Sequence, residues 1–207
     1  MHTATIERSP SATATLPDKA PAAVPAGRLD LYAGIHKALR LFMTRTLCRA
    51  GSTDPGDAEE VAAMLDMVNR LLGLCELHLK DENDFVHPAL EAAQAGSAAR
   101  TAAEHVHHAE VIADLRDLAG LVADSRDVAR AAACTRLYRA LALFVADNFQ
   151  HMEVEETAHN AVLWAHYTDA ELLAIEQALV ASIPPPAMFE ALHWFLPALN
   201  APERAAM

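Results

Sequence analysis

The chain has 207 residues, with 16 Lys and Arg against 28 Asp and Glu, and its formal net charge is −12. This negative charge argues against a nucleic-acid backbone or an anionic membrane surface as the main partner. Hydrophobic residues make up 53% of the chain, which excludes a disordered protein, and the 7 glycines and 5% aromatic residues favour helix over sheet. The 11 histidines are the feature that a plain helical protein does not explain.

The composition of residues 1–27, with four prolines and much Ala, Ser and Thr, predicts a mobile tail. This stretch lacks the apolar core of a secretory signal, and the chain has no apolar run of the roughly 18 residues that a transmembrane helix needs. Cys48, Cys75 and Cys134 are odd in number and widely spaced, which fits neither a disulfide framework nor a CxxC zinc motif. We therefore expect a cytoplasmic protein.

Apolar residues three and four apart predict a series of helices in chain order. These run over about residues 29–50, 57–87, 98–122, 128–164 and 169–183, with a short last helix at about 188–199. Asp57 is the expected N-cap of the second helix, which should bend or end near Pro88 because proline lacks a backbone N–H. The pattern predicts an all-α, antiparallel up-down-up-down four-helix bundle over residues 28–166 and a C-terminal helical hairpin packed on it over residues 167–207.

Each long helix interrupts its buried apolar stripe with a histidine, and two helices add a glutamate four residues later, on the same face. The set is His36, His78, Glu82, His105, His151 and Glu155. Buried carboxylates without partners are costly, whereas imidazole and carboxylate together suit iron, zinc or manganese. Four histidines, two bridging carboxylates and a bridging oxygen would fill about ten of the roughly 12 positions of two six-coordinate ions. The open positions favour binding of an exogenous ligand over a purely structural site.

Four further residues are candidates for roles around this set. His108 shares a helix face with His105 and is an alternative or additional ligand. Asp147 precedes His151 by one turn and is a candidate acceptor for the second ring N–H of that histidine, the alternative being a solvated helix residue. His87 and His159 follow the two glutamates and are expected to have a structural role in packing, with a position around the ligands or in a channel as the alternative.

The predicted ligands of each helical hairpin do not lie at one level when residues are counted from the turns. The levels differ by about six residues, or roughly 9 Å, in both hairpins. The mismatch is the same in both halves, and residues 36–82 and 105–155 each contain a histidine followed by HxxxE. This weak internal two-fold repeat favours a symmetric site for two metal ions.

Four segments, IHKALR (35–40), HLKDE (78–82), EH (104–105) and HMEVEE (151–156), resemble the bacterial type of the hemerythrin-like HHE cation-binding family. The resemblance covers about residues 29–200. It implies two iron ions, oxo- or hydroxo-bridged, with zinc or manganese as alternatives. The four histidines would be terminal ligands, and Glu82 and Glu155 would bridge. Animal hemerythrins have five histidines, one glutamate and one aspartate, and this departure weighs against reversible dioxygen carriage.

The resemblance therefore implies a non-haem di-iron protein that binds dioxygen, nitric oxide or peroxide as a sensor, scavenger or store. One alternative is a di-iron redox enzyme acting on peroxide or nitric oxide, and another is an iron donor for repair of damaged iron centres. The sequence has no flavin, nicotinamide or iron–sulfur motif, so an enzyme would need another protein as its electron donor. A single zinc ion, or an empty bundle used for protein contacts, is the remaining alternative.

Overall fold

The computed structural model describes residues 27–205, so the predicted tail lies outside the described residues except for Gly27. The α-helices are α1 (Ala33–Ser52), α2 (Ala58–Asp81), α3 (His87–Ala93), α4 (Ala99–Asp124), α5 (Asp127–Val154), α6 (Asn160–His166), α7 (Asp169–Ser182), α8 (Pro185–Ala198) and α9 (Ala201–Ala205). Two π-helical turns join them, π1 (Glu82–Val86) between α2 and α3, and π2 (Glu155–His159) between α5 and α6. The predicted all-α class is confirmed.

The bundle consists of α1, α2, α4 and α5, and each of these helices packs against two of the others. Its core is mostly aliphatic, with Leu39, Leu71, Leu115 and Leu141 almost wholly buried. The start of α2 follows a local sequence signal. The side chain of Asp57 accepts hydrogen bonds from the backbone N–H groups at the start of α2, as predicted. The buried stripes of the four helices face the centre of the bundle, and the histidines lie on these stripes.

The second helix passes Pro88 rather than ending there. The helical path changes six residues earlier, at Glu82, and Pro88 occupies the first turn of α3, where its missing N–H costs little. At the equivalent place in the second half, π2 interrupts the helix without any proline. The proline is therefore not the cause of the interruption, and π-helical turns of this kind often mark functional sites.

The C-terminal helices extend further than predicted. Helix α8 begins at Pro185, because a proline in the first helical turn has its φ already set for the helix, and α9 was not predicted. Helix α8 packs against α1 and α2, and Trp194 stacks on Phe42 with ring centroids 3.9 Å apart. By length and hydropathy, no single helix within residues 27–205 qualifies as a membrane-spanning segment, and α7 and α8 qualify only when taken together across a bend of 120°.

The Trp194 contact with the bundle core gives the first testable prediction. Replacing Trp194 by Ala should lower the free energy of unfolding by about 3–5 kcal/mol, since it removes a buried ring and leaves a cavity. Leu196→Ala on the same helix is the matched control, because Leu196 is 46% exposed, and its cost should stay within about 0.5 kcal/mol. Chemical denaturation of both variants measures the difference, and equal losses would contradict the packing described.

Candidate metal centre

The six side chains singled out by the sequence converge at one place inside the bundle. His36 comes from α1, His78 from α2, His105 from α4 and His151 from α5, while Glu82 and Glu155 are the first residues of π1 and π2. His36 and Glu155 are wholly buried. The two π-helical turns thus begin at the two carboxylates that the sequence predicts to bridge.

The six side chains form two groups that share both carboxylates. In the first group, Glu82 Oε1 lies 3.6 Å from His36 Nε2 and 3.3 Å from His78 Nε2, and Glu155 Oε2 lies 3.5 Å from His36 Nε2.

In the second group, His105 Nε2 lies 3.3 Å from Glu82 Oε2 and 3.6 Å from Glu155 Oε1, and His151 Nε2 lies 3.1 Å from Glu155 Oε1. Each carboxylate therefore turns one oxygen toward each histidine pair, which is the arrangement that a bridging carboxylate needs.

The hydrogen-bonding state of these atoms tests whether a metal ion fits. All four carboxylate oxygens of Glu82 and Glu155, and Nε2 of His36 and His78, are buried without a hydrogen-bond partner among the described residues. Such groups are rare in folded proteins because each one forfeits its hydration. Two ligands at about 2.1 Å from one ion and at right angles lie roughly 3.0 Å apart, close to the nitrogen–oxygen distances here. The cluster therefore fits bound metal cations.

The direction in which side chains lean along an α-helix reduces the difference in level predicted between the ligands. In an α-helix the side chains lean toward the N-terminus. His105, the nearer to the α4–α5 turn, leans away from that turn, whereas His151, the farther, leans toward it. Their Nε2 atoms lie 3.0 Å apart as a result. The same directions apply to His36 and His78, whose rings meet edge to face with centroids 5.2 Å apart.

Outer acceptors fix the orientation of three of the four rings. The Nδ1 atoms of His36, His105 and His151 lie 3.0, 2.9 and 2.7 Å from side-chain oxygens. The acceptors are Glu156, Asn83 and Glu104, respectively. An acceptor at Nδ1 places the proton there and leaves the lone pair of Nε2 pointing into the cluster, as in most metal-bound histidines.

Asp147 does not support His151, in contrast to the sequence-based expectation. It accepts a hydrogen bond from His108 Nε2 at 2.8 Å, and His151 bonds to Glu104 instead. The reason is the antiparallel packing of α4 and α5, which places Asp147 one turn along, beside His108. The ring of His108 lies against His151 with centroids 4.8 Å apart, but it is His105 that contacts the two carboxylates.

Glu104 gives a test of this outer layer. Replacing Glu104 by Ala should weaken metal binding at the His105–His151 position by about 10–100-fold, because His151 loses the acceptor that orients it. Glu110→Ala is the control, since Glu110 is an exposed carboxylate on the same helix. Metal titration of the two variants in competition with a chelator measures the effect, and equal affinities would remove Glu104 from the site.

In the metal-free cluster the imidazoles and the carboxylates stabilise each other's charged forms. Burial alone would lower the pKa of His36, but its hydrogen bond to Glu156 and the nearby Glu82 outweigh burial and raise this pKa to about 9. The pKa of His105 is also raised to about 9, against burial, by Glu155 and Glu82. The pKa values of Glu82 and Glu155 lie below their usual range, since the surrounding imidazoles outweigh their burial.

His87 and His159 lie against the cluster, closer to it than a role in packing alone requires. His87 stacks on His105 with ring centroids 4.8 Å apart. His159 forms hydrogen bonds with Tyr32 at 3.0 Å and with Thr101 at 3.1 Å. One ligand atom from each of His87, His159 and Glu155 lies within 4.8 Å of the other two, which is close enough for the three side chains to share a metal ion. His87 follows Glu82 and His159 follows Glu155, each by about one helical turn. This spacing is the feature of the sequence that indicates their place beside the cluster.

A comparison with protein families agrees with the geometry. The model of the hemerythrin HHE cation binding domain matches residues 28–159, which is more than half of the chain. The match includes all six converging side chains and ends at His159, before α6. No curated protein sequence matches the chain. A family that binds cations and a cluster of buried, unpartnered imidazoles and carboxylates lead to one assignment: the chain belongs to the hemerythrin HHE cation-binding domain family.

Proposed function

We propose that the protein holds two iron ions between its four bundle helices. His36 and His78 would bind one ion, His105 and His151 the other, and Glu82 and Glu155 would bridge them. The observation that carries this proposal is the division of each carboxylate, with one oxygen toward each histidine pair. A single ion would use only one half of this symmetric arrangement.

The donor set supports iron. It consists of imidazole nitrogens and carboxylate oxygens, which suit iron and manganese, whereas structural zinc sites are closed tetrahedra that commonly include cysteine. Two histidines and two carboxylate oxygens give each ion four donors. Iron commonly takes about six, so positions would remain for a small ligand. We propose dioxygen, nitric oxide or peroxide as that ligand, and a role as sensor, scavenger or store.

Bound iron would supply a redox-active, Lewis-acidic position for this ligand. The side chains of the protein do the rest. Glu156, Asn83 and Glu104 hold protons at Nδ1 of three ligand histidines and keep their Nε2 atoms directed inward. Tyr32 is 1% exposed and packs against His36 with ring centroids 5.3 Å apart, so it shields this ligand ring from solvent. Three unpaired cysteines, Cys48, Cys75 and Cys134, support a reducing, cytoplasmic setting.

One observation favours the alternative of a redox enzyme acting on peroxide or nitric oxide. Tyr32, His159, Thr101 and His87 form a buried hydrogen-bonded series that ends beside Glu155. Groups of this kind can hold protons that a reduction consumes. The series is compatible with simple ligand binding as well, since its members also satisfy one another, so binding remains the first proposal.

The test is metal analysis and absorption spectroscopy of protein purified in air. We expect about two iron ions per chain and near-ultraviolet absorption that zinc-loaded protein lacks. One zinc ion per chain at full occupancy would contradict the proposal. Rapid mixing with peroxide or nitric oxide then separates the roles, because a binder gives one stoichiometric spectral change and an enzyme gives sustained turnover. Ready loss of iron to a chelator would instead favour an iron donor.

A further inference from the structure

A cavity of about 340 Å³ adjoins the metal centre on the side of the C-terminal helices. It lies between α1 and α2 of the bundle and the hairpin of α7 and α8. His78 and Glu82 line one part of it, so the cavity reaches the position assigned to the first metal ion. Tyr32, which packs against His36 with ring centroids 5.3 Å apart, is also in its wall. The cavity and the metal centre therefore share side chains.

The cavity is far larger than a diatomic ligand requires. A water molecule takes up about 30 Å³ in the liquid, so the volume is roughly ten times that of a small exogenous ligand. Sites for organic molecules begin at about 300 Å³ and are mostly apolar. The walls contributed by α7 and α8 have this character, and they include Ile175, Leu179, Met188, Leu192 and Phe195.

The charges in the wall restrict what the cavity can hold. Among the described residues that line it, the carboxylates are Asp30, Asp81, Glu82 and Glu176, and neither lysine nor arginine lines it. Asp30 already accepts hydrogen bonds from the backbone at the start of α1. Asp81 is 5% exposed, and its Oδ1 is buried without a partner. Away from Glu82, which is assigned to the metal ions, the charge of the wall is negative and an anionic ligand would be repelled, whereas a hydrogen-bond donor would satisfy Asp81.

We propose that this cavity binds an apolar organic molecule with one amine group, which donates a hydrogen bond to Asp81 while the apolar body lies against α7 and α8. This inference rests on the proposed function in one respect, namely that the inner end of the cavity is the metal position of His36 and His78. It adds an organic ligand class to a centre proposed to take a small inorganic ligand. The C-terminal hairpin, which lies outside the family match, supplies the apolar wall, and Asp81 supplies the preference for an amine.

The test uses 1-aminoanthracene, a flat apolar amine of about 15 non-hydrogen atoms, which lies within the size range of ligands for such cavities. Equilibrium dialysis against the full chain as purified should show saturable binding of one probe per chain. Competitors of equal length then test the charge, and n-decylamine should displace the probe at least tenfold more effectively than decanoate. Decylamine, which does not absorb in the near ultraviolet, should also shift the iron absorption of the centre.

Two variants test the walls. Leu179→Trp fills the cavity and should weaken probe binding at least tenfold, whereas Leu173→Trp is the matched control on the same helix, 43% exposed and outside the cavity, and should change it less than twofold. Asp81→Leu removes the acceptor and should reduce the preference for decylamine over decanoate to less than threefold. Thermal unfolding confirms that each variant is folded before binding is measured.

The outcomes separate the inference from the proposed function, because iron per chain is measured on the same samples. Full iron with no saturable probe binding overturns the inference and leaves the metal centre intact. Probe binding without iron contradicts the proposed function. Equal weakening by Leu179→Trp and Leu173→Trp would indicate adsorption to the surface, and equal competition by decanoate would remove the role of Asp81. A dimer that the probe dissociates would show that a second copy covers the cavity.

Discussion

Replacing Glu155 by Gln is expected to empty both metal positions, whereas replacing His78 by Ala should empty only one. Glu155 belongs to both groups of converging side chains, and His78 belongs to one. A neutral amide is a poor bridging ligand, and the repulsion between two cations grows when one of the two bridging charges is lost. We therefore expect the metal content to fall from about two ions per chain to below about 0.5 in Glu155→Gln, and to about one in His78→Ala.

Metal analysis after dialysis against a weak chelator measures these contents. Glu153→Gln is the matched control, since it makes the same change two residues earlier on an exposed side of α5. Circular dichroism checks that each variant keeps its helices. If Glu155→Gln retained one ion and His78→Ala retained none, the carboxylate would serve a single ion and the symmetric centre would be wrong.

The sequence predicts the bundle well because its signals are local. Apolar spacing of three and four residues defines α1, α2, α4 and α5, and the Asp57 cap marks the start of α2. The interruptions at Glu82 and Glu155 were not predicted, since a π-helical turn has no reliable local signal. Pro88 predicted a bend or end of the second helix six residues too late. The two π-helical turns become understandable only when Glu82 and Glu155 must face the same centre.

The inner side chains were predictable for the same reason, because each one breaks an apolar stripe. The outer acceptors were not. Asn83, Glu104 and Glu156 each adjoin a predicted ligand in sequence, yet each serves a histidine of a different helix. Pairing of this kind depends on how two helices face one another, which spacing along one helix does not specify. The expectation for Asp147 failed for this reason, since it considered only the helix of His151.

The stability of the metal-free protein should peak near pH 6.5 and fall on both sides. The pKa of His36 and that of His105 are raised from 6.5 to about 9, so the stabilisation from their protonated forms is complete below 6.5 and is lost as the pH rises through 9. Burial lowers the pKa of His78 and that of His87 to about 4. Folding keeps these two rings neutral, so stability is also lost as the pH falls from 6.5 through 4.

Metal loading should remove the alkaline half of this curve. An ion takes the place of the protons on His36 and His105, so the midpoint of thermal unfolding should rise on loading and stay level between pH 6.5 and 9, where the metal-free protein loses stability. The same exchange predicts release of about two protons per chain when metal binds at pH 7.5. Calorimetric titration in buffers of different ionisation enthalpy counts these protons. Release of no protons, together with parallel pH curves for the loaded and metal-free protein, would mean that the ions bind elsewhere. Ions at Nε2 of His36 and His105 must displace the protons that the nearby negative charges of Glu82 and Glu155 stabilise on these two rings.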